Sequence, residues 1–241
     1  MVDGWLDKST GIVIQARMSS TRLPGKVLLP FPIGSTETVL STIYNSLCST
    51  GASVIVATSS CPDSDPIEFY CKSKGINFYR GSENDVYSRF YELQELHSYT
   101  HIFRFTADNP LIDLNKMKQF FNFYCKGDYD YAGSTGMPLG MNFELFKGSL
   151  LLSPENLRLS EVEKEHVTLR FKKDIIYSRG EMSLADLADL RLTIDEKLDY
   201  IQLNLVKNYL NENINIDELI YLKQTYPWLL EINSIIEQVK V

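Results

Sequence analysis

The chain has 241 residues, 44% of them apolar and 12% aromatic, enough to bury a sizeable core within one α/β domain. A formal charge of −7 argues against a general nucleic-acid binder, so any basic cluster is expected to serve a small anionic ligand. There is no run of 18 apolar residues, and the opening MVDGWLDKST has neither a basic nor an apolar leader segment; a cytoplasmic protein without membrane contact is expected. Cys48, Cys61, Cys71 and Cys125 form no C-x-x-C pair and, with His97, His101 and His166, no zinc signature, so free thiols are expected.

The first element, Gly11 to Ile14, reads as a buried strand that opens into a loop rich in Ser, Thr, Pro and Gly. That loop carries Arg17, Arg22 and Lys26 and no acidic residue. It stands at a strand's carboxyl end, the edge where open parallel sheets bind ligands. Arginine offers a planar set of donors to phosphate oxygens and lysine a mobile charge, while loop N–H groups and the hydroxyls of Ser19, Ser20 and Thr21 can complete a polyphosphate cradle. The competing reading is a solvated basic loop. It is not a Walker A loop, because Ser20 stands where the first Gly is required and Val27 follows the lysine.

Further along, Thr38 to Cys48 reads as a helix and Ser53 to Ser59 as a β-branched strand. Pro66 to Ser73 reads as a short helix with Asp65 at its cap, and Ile76 to Tyr79 as a short strand. Ser82 is expected to cap a helix reaching about Leu96, with Asp85 completing a capping box. His101 to Thr106 follows as a strand and Leu114 to Cys125 as a helix. The alternation predicts a three-layer α/β fold, Rossmann-like, with a mainly parallel (mixed) sheet. Asp108 follows a strand directly, and Asp195 ends the apolar run Leu190 to Ile194, read as another strand. Two carboxylates at strand ends can converge on one cation, and Mg²⁺ suits such a pair; alternatively Asp108 is a turn residue before Asn109-Pro110. Helices are expected at Tyr200 to Leu210, Ile216 to Gln224 and Trp228 to Val239, giving one domain, 1–241, with a helical part from about 196.

The run QARMSSTRLPGKVL resembles the signature of the cytidylyltransferase family that activates sugar acids, in its spore-coat polysaccharide branch, related to the synthetases of CMP-sialic acid and CMP-3-deoxy-manno-octulosonate. YRGSENDVYSRFY, TADNPLID, EKEHVT, LTIDEKLD and LLEINSIIEQV resemble further segments of that family in the same order, from Ile12 to about Val239. Two residues depart from the pattern: Ser19 stands where Gly is usual, and Asn142 of MPLGMNFELF where Asp is usual.

The resemblance implies a nucleotide-diphospho-sugar transferase fold and transfer of CMP from CTP to a small anionic sugar acceptor, with Mg²⁺, in polysaccharide or glycoconjugate biosynthesis, by an enzyme that can form a homodimer. It implies nucleotide contacts from Gln15, Ala16, Arg17, Ser20, Arg22, Lys26, Ala57, Thr58, Arg80, Gly81, Ser82, Thr106 and Asp108, of which Arg17, Lys26 and Asp108 are catalytic. It further implies metal ligation by Asp108 and Asp195 and acceptor contacts from Asn142, Glu144, Glu165 and His166. Other readings stay open: Arg80 to Arg89 as a turn and capped helix with an Asp85–Arg89 pair, Glu163 as a capping-box partner of Ser160, and His166 as a structural histidine. A glycosyltransferase would place its metal on a D-x-D pattern, but Asp63-Ser64-Asp65 reads as a cap and Asp128-Tyr129-Asp130 as the approach to an edge strand. A non-catalytic binding protein would have no need of matched cations and carboxylates along one sheet edge.

Overall fold

The computed structural model describes residues 4–154, 158–211 and 214–237. Its centre is a seven-stranded mixed sheet in the order β3-β2-β1-β4-β6-β5-β7. The strands are β1 (Thr10–Gln15), β2 (Ser53–Ser59), β3 (Phe78–Gly81), β4 (His101–Thr106), β5 (Tyr131–Thr135), β6 (Glu144–Lys147) and β7 (Arg179–Ser183). β1 pairs in parallel with both β2 and β4, and β2 with β3, whereas β6 runs antiparallel to its neighbours β4 and β5. β1 is apolar on both faces because both are covered, the pattern expected of a central parallel strand.

Helices α1 (Val39–Cys48), α2 (Asp65–Lys74) and α4 (Leu114–Gly127) pack on one face with α7 (Lys197–Leu210) and α8 (Ile216–Thr225), burying Leu40, Ile67, Phe120 and Val206 against Ile12, Ile14 and Phe103. On the other face lie α3 (Val86–His97) and α6 (Leu169–Lys173), whose Phe90 and Phe171 meet Val13, Ile55 and Ile102. The short α5 (Glu161–Glu165) precedes α6. The three layers and mainly parallel sheet expected from the alternation are therefore present.

Several boundaries differ from the sequence reading. Asp65 is the first residue of α2, not its cap, because a 3₁₀ turn at Pro62–Ser64 already starts the winding. β3 lies two residues later than expected. α3 is capped by Asp85, whose carboxylate accepts the Ser88 N–H at 2.8 Å; Ser82 instead closes the preceding turn by accepting the Asp85 N–H at 3.1 Å. β5 is not an edge strand, since β7 lies outside it. Leu190 to Ile194 joins no strand and makes only an isolated bridge, Arg191 with Leu139. After Pro227–Leu230, a 3₁₀ turn, residues 231–237 are non-helical, and the end of the helix expected to Val239 lies outside the described residues.

One carboxylate ties the two helical regions together. Asp113 caps α4 by accepting the Lys116 N–H at 2.9 Å, and its other oxygen accepts the Ile216 N–H at the start of α8, also at 2.9 Å. Asp113 is 2% exposed, so removing it strands a buried donor as well as a cap. Asp113→Ala should lower the unfolding free energy by about 2–3 kcal/mol in urea titration; a loss under about 1 kcal/mol would show that water replaces both bonds.

Candidate active site

At the β1/β4 boundary the chain leaves β1 towards β2 on one side while β4 flanks it on the other. The loops after these two strands therefore diverge, and a crevice opens at their carboxyl ends. The loop after β1 is built on itself: Gly25 donates to the Met18 carbonyl at 3.2 Å, and Ser20 Oγ accepts the Leu23 N–H at 3.3 Å. Gly25 has φ +71°, a left-handed conformation open to glycine, and it turns the chain so that Lys26 points back into the crevice. Ser19 needs no such freedom: among the described residues, the non-glycine positions with positive φ are Ser98, Asp128 and Asn211.

Lys26 is 8% exposed, and its Nζ lies 2.7 Å from Asp108 Oδ2 and 2.7 Å from Asp195 Oδ1. Asp108 is delivered by the end of β4, and its Oδ1 accepts from the Thr106 hydroxyl at 2.6 Å. Asp195 arrives without a sheet strand. The Leu192 N–H donates to the Leu139 carbonyl at 2.8 Å and the Ile194 N–H to the Asp108 carbonyl at 2.9 Å, which lays the segment beside the β4 loop. Arg22 approaches Asp195 at 3.3 Å and Arg191 at 3.2 Å. Burial works to raise the Asp195 carboxyl, but Lys26, Arg22 and Arg191 outweigh it and hold the group below its ordinary range.

Behind Asp195 lies a polar network absent from the sequence reading. Asp199, fully buried, accepts from Arg191 Nε and Nη2 at 2.8 and 2.9 Å, and from the N–H groups of Asp195 and Glu196 at 3.0 and 2.9 Å. Asn233 donates to Asp199 at 2.8 Å and to the Arg191 carbonyl at 3.0 Å. The C-terminal region thus fixes the backbone that presents Asp195. The available signal was the charge pattern of LRLTIDEKLD, in which Arg191 and Asp199 sit four residues either side of Asp195.

Lys26, Asp108 and Asp195 line a cleft of about 340 Å³, together with Gln15, Arg17, Ser19, Ser20, Thr21, Arg22, Thr106, Glu165 and His166. Its volume is in the range of small-ligand sites. Arg17 is 60% exposed and only loosely paired, 3.9 Å from Glu165, so its guanidinium is available to a ligand. Arg104, also in the lining, was missed: a lone cation in the apolar strand HIFRFT, it donates to Gln15 at 3.1 Å and to Glu144 at 2.9 Å. Glu144 lies opposite Arg104 in the β4–β6 register and also accepts from the Thr168 hydroxyl at 3.0 Å and pairs with Lys172.

Other expected residues sit elsewhere. Ala16, just after β1, and Ala57 and Thr58 of β2 are buried, and the Thr58 hydroxyl is enclosed without a hydrogen-bond partner. Arg80 faces the β2–α2 turn, donating to the Ser59 and Cys61 carbonyls at 2.9 Å and pairing with Asp65 and Glu68. Gly81 accepts the Ser60 N–H at 2.7 Å, and the Ser82 carbonyl accepts from Arg89 at 2.6 Å, so Arg89 serves the turn and not a pair with Asp85. None of Arg80, Gly81 and Ser82 lines the cleft, and neither does Asn142, which is exposed and donates to the Pro138 carbonyl at 3.3 Å. Glu163 completes a capping box with Ser160. The two D-x-D patterns are used structurally: Asp65 pairs with Arg80, and Asp128 and Asp130 with Lys147.

Among the described residues no group of three or more His, Cys, Asp or Glu converges on one point. Two carboxylate oxygens do converge, on a cation, which is the donor set Mg²⁺ uses when substrate phosphates complete its shell.

A family model described as cytidylyltransferase matches residues 11–235. The chain belongs to the cytidylyltransferase family. Among relatives, Spore coat polysaccharide biosynthesis protein SpsF of Bacillus subtilis is 31% identical over 227 residues, covering 89% of this chain and 94% of that protein. An uncharacterized protein of Methanocaldococcus jannaschii is 30% identical over 234 residues, covering 94% and 95%. The structure of a cytidylyltransferase from Leptospira borgpetersenii superposes with TM-score 0.83 at 28% identity, covering 97% of this chain and all of that one. CMP:2-keto-3-deoxy-manno-octonic acid synthetase, solved with CTP, shares the fold at TM-score 0.63 and 15% identity, covering 83% and 98%. This cytidylyltransferase-family chain thus carries its cleft where β1 and β4 end.

Glu144 gives this region a pH signature. Burial works to raise its carboxyl, but Arg104 and Lys172 prevail and hold it at about 2, against 4.5 for a free side chain. The stability it contributes is complete above the unfolded value and is lost as pH falls from 4.5 towards about 2. In urea titrations across that window, Glu144→Gln should show a shallower acid dependence than wild type; equal slopes would contradict the clamp.

Proposed function

We propose that this chain is a divalent-metal-dependent cytidylyltransferase that transfers CMP from CTP to a hydroxyl of a sugar acid, releasing pyrophosphate, in the synthesis of a surface polysaccharide or glycoconjugate. The observation that carries the reading is the placement of the Lys26 ammonium 2.7 Å from both Asp108 and Asp195, in a cleft that Arg17 and Arg22 also line. Cations for a triphosphate and carboxylates for a metal lie at one sheet edge. The names of SpsF and of the octonic acid synthetase solved with CTP support the polysaccharide context, the nucleotide and the class of acceptor.

In the proposed reaction the acceptor hydroxyl oxygen attacks the α-phosphorus, its proton is lost, and the bond from that phosphorus to the bridging oxygen breaks, so pyrophosphate leaves with the electron pair. Arg17, Arg22 and Lys26 hold the triphosphate in line and take up the charge that develops on the departing pyrophosphate. Asp108 and Asp195 are the residues that would hold Mg²⁺, which when bound supplies Lewis-acid neutralisation of phosphate charge. Glu165 and His166 line the same cleft and form the acceptor side, with Glu144 immobilised behind them by Arg104 and Lys172. The chain works as one domain in the cytoplasm, and the exposed stripe Ile201, Leu205 and Tyr209 on α7 supports a homodimer face.

The test is pyrophosphate release with Mg²⁺ and each of CTP, ATP, GTP and UTP across a panel of sugar acids. CTP should be preferred, and Asp108→Asn should lower turnover by roughly 10²-fold or more while the far-ultraviolet circular dichroism stays that of wild type. Near-normal turnover in that variant, or release indifferent to the nucleotide, would overturn the assignment.

A further inference from the structure

The Asp108–Asp195 pair is already occupied, by a side chain of the protein itself. Each carboxylate divides its oxygens in the same way. Asp108 Oδ2 faces Lys26 while its Oδ1 is held by Thr106 at 2.6 Å. Asp195 Oδ1 faces Lys26 while its Oδ2 is engaged by Arg191 at 3.2 Å and Arg22 at 3.3 Å. Asp199, Gln202 and Asn233 hold the backbone beneath Arg191 and Asp195 without involving Lys26. The pair is therefore pre-set, with its two inward oxygens converging on Nζ and its outward oxygens held by Thr106 and Arg191, neither of which need move.

A divalent ion held by both Asp108 and Asp195 would take the place the ammonium fills between their inward oxygens. The two cations exclude each other. Lys26 has a flexible four-carbon stem and three rotatable donors, so it is the part of this arrangement able to leave. Where it can go depends on the nucleotide. With the cleft empty of phosphate, a displaced ammonium meets Arg17 and Arg22, which line the same space and repel it. With a triphosphate present, that direction offers anionic oxygens.

We propose that Lys26 is the resident counter-ion of Asp108 and Asp195, and that a divalent cation enters between these carboxylates only as Lys26 transfers to the triphosphate, so that metal and nucleotide bind as one coupled event. The inference rests on the metal reading under Proposed function. It makes Lys26 both a brake on binding of metal alone and the phosphate contact that metal entry releases, and the coupling is reciprocal by linkage.

The experiment is titration of the full-length, nucleotide-free protein with Mn²⁺, followed by the electron paramagnetic resonance of the free ion. Wild type should bind weakly, and Lys26→Met at least tenfold more tightly. Adding Asp108→Asn to Lys26→Met should remove the gain. If Lys26→Met does not fold, as judged by circular dichroism, Lys26→Gln takes its place, since it too removes the positive charge. Equal Mn²⁺ affinities for wild type and the lysine variant, with Asp108→Asn weakening both, would overturn the exchange and leave the metal reading standing. A gain that survives Asp108→Asn, or binding insensitive to Asp108→Asn in every background, would overturn both.

Discussion

The contact on which the site depends is the bridge from Lys26 to Asp108 and Asp195, because it joins three parts of the chain that are far apart in sequence. A lysine buried to this degree needs its charge compensated, and a pair of carboxylates facing each other needs a cation between them. Each requirement answers the other. The bridge also joins the loop after β1 to the loop after β4 and to Asp195, whose preceding segment, Leu190 to Ile194, is laid at the sheet edge by backbone bonds to Leu139 and Asp108 although it is not part of the sheet. The cleft is what remains open above these three anchored pieces, and its exposed cation, Arg17, is the one with the weakest protein partner.

The surrounding framework keeps this bridge in place by charge pairing in layers. Arg191 stands between Asp195 and the buried Asp199, and Asn233 closes the layer behind it. On the other side, Arg104 links Gln15 of β1 to Glu144 of β6, so the two strands flanking β4 are tied across the floor of the cleft. In both layers each buried charge meets an opposite charge, whose attraction offsets the cost of taking the ions out of water. The arrangement suits chemistry that depends on positioning and charge neutralisation more than on a nucleophile of the protein's own.

Much of this was legible in the residues. β2 and β4 fall where their β-branched and apolar runs indicate, and the basic loop and Asp108 lie on one edge because strand ends and turn residues mark it. Local patterns failed where tertiary partners decide. The apolar run at Leu190 has the composition of a strand, but its N–H groups donate to Leu139 and Asp108 in loops, so burial came without pairing in the sheet. Arg80 reads as a nucleotide contact by its place in a motif, and in the structure the carbonyls of Ser59 and Cys61 and the carboxylates of Asp65 and Glu68 engage its guanidinium. Ser82 reads from sequence as the cap with Asp85 as its capping-box partner, and the backbone turn between them makes Asp85 the cap instead. Asp199 and Asn233 gave little local signal because their role is defined by a network closed over more than thirty residues.

That the Lys26–Asp108–Asp195 bridge is the cation end of a triphosphate site can be decided by a crystal structure with CTP and Mn²⁺ recorded at a wavelength where manganese scatters anomalously. An anomalous peak is expected within coordination distance of both Asp108 and Asp195, with Lys26 moved onto a phosphate oxygen beside Arg17 and Arg22. A peak elsewhere, or a nucleotide bound in the cleft with Lys26 still between the two carboxylates, would contradict it.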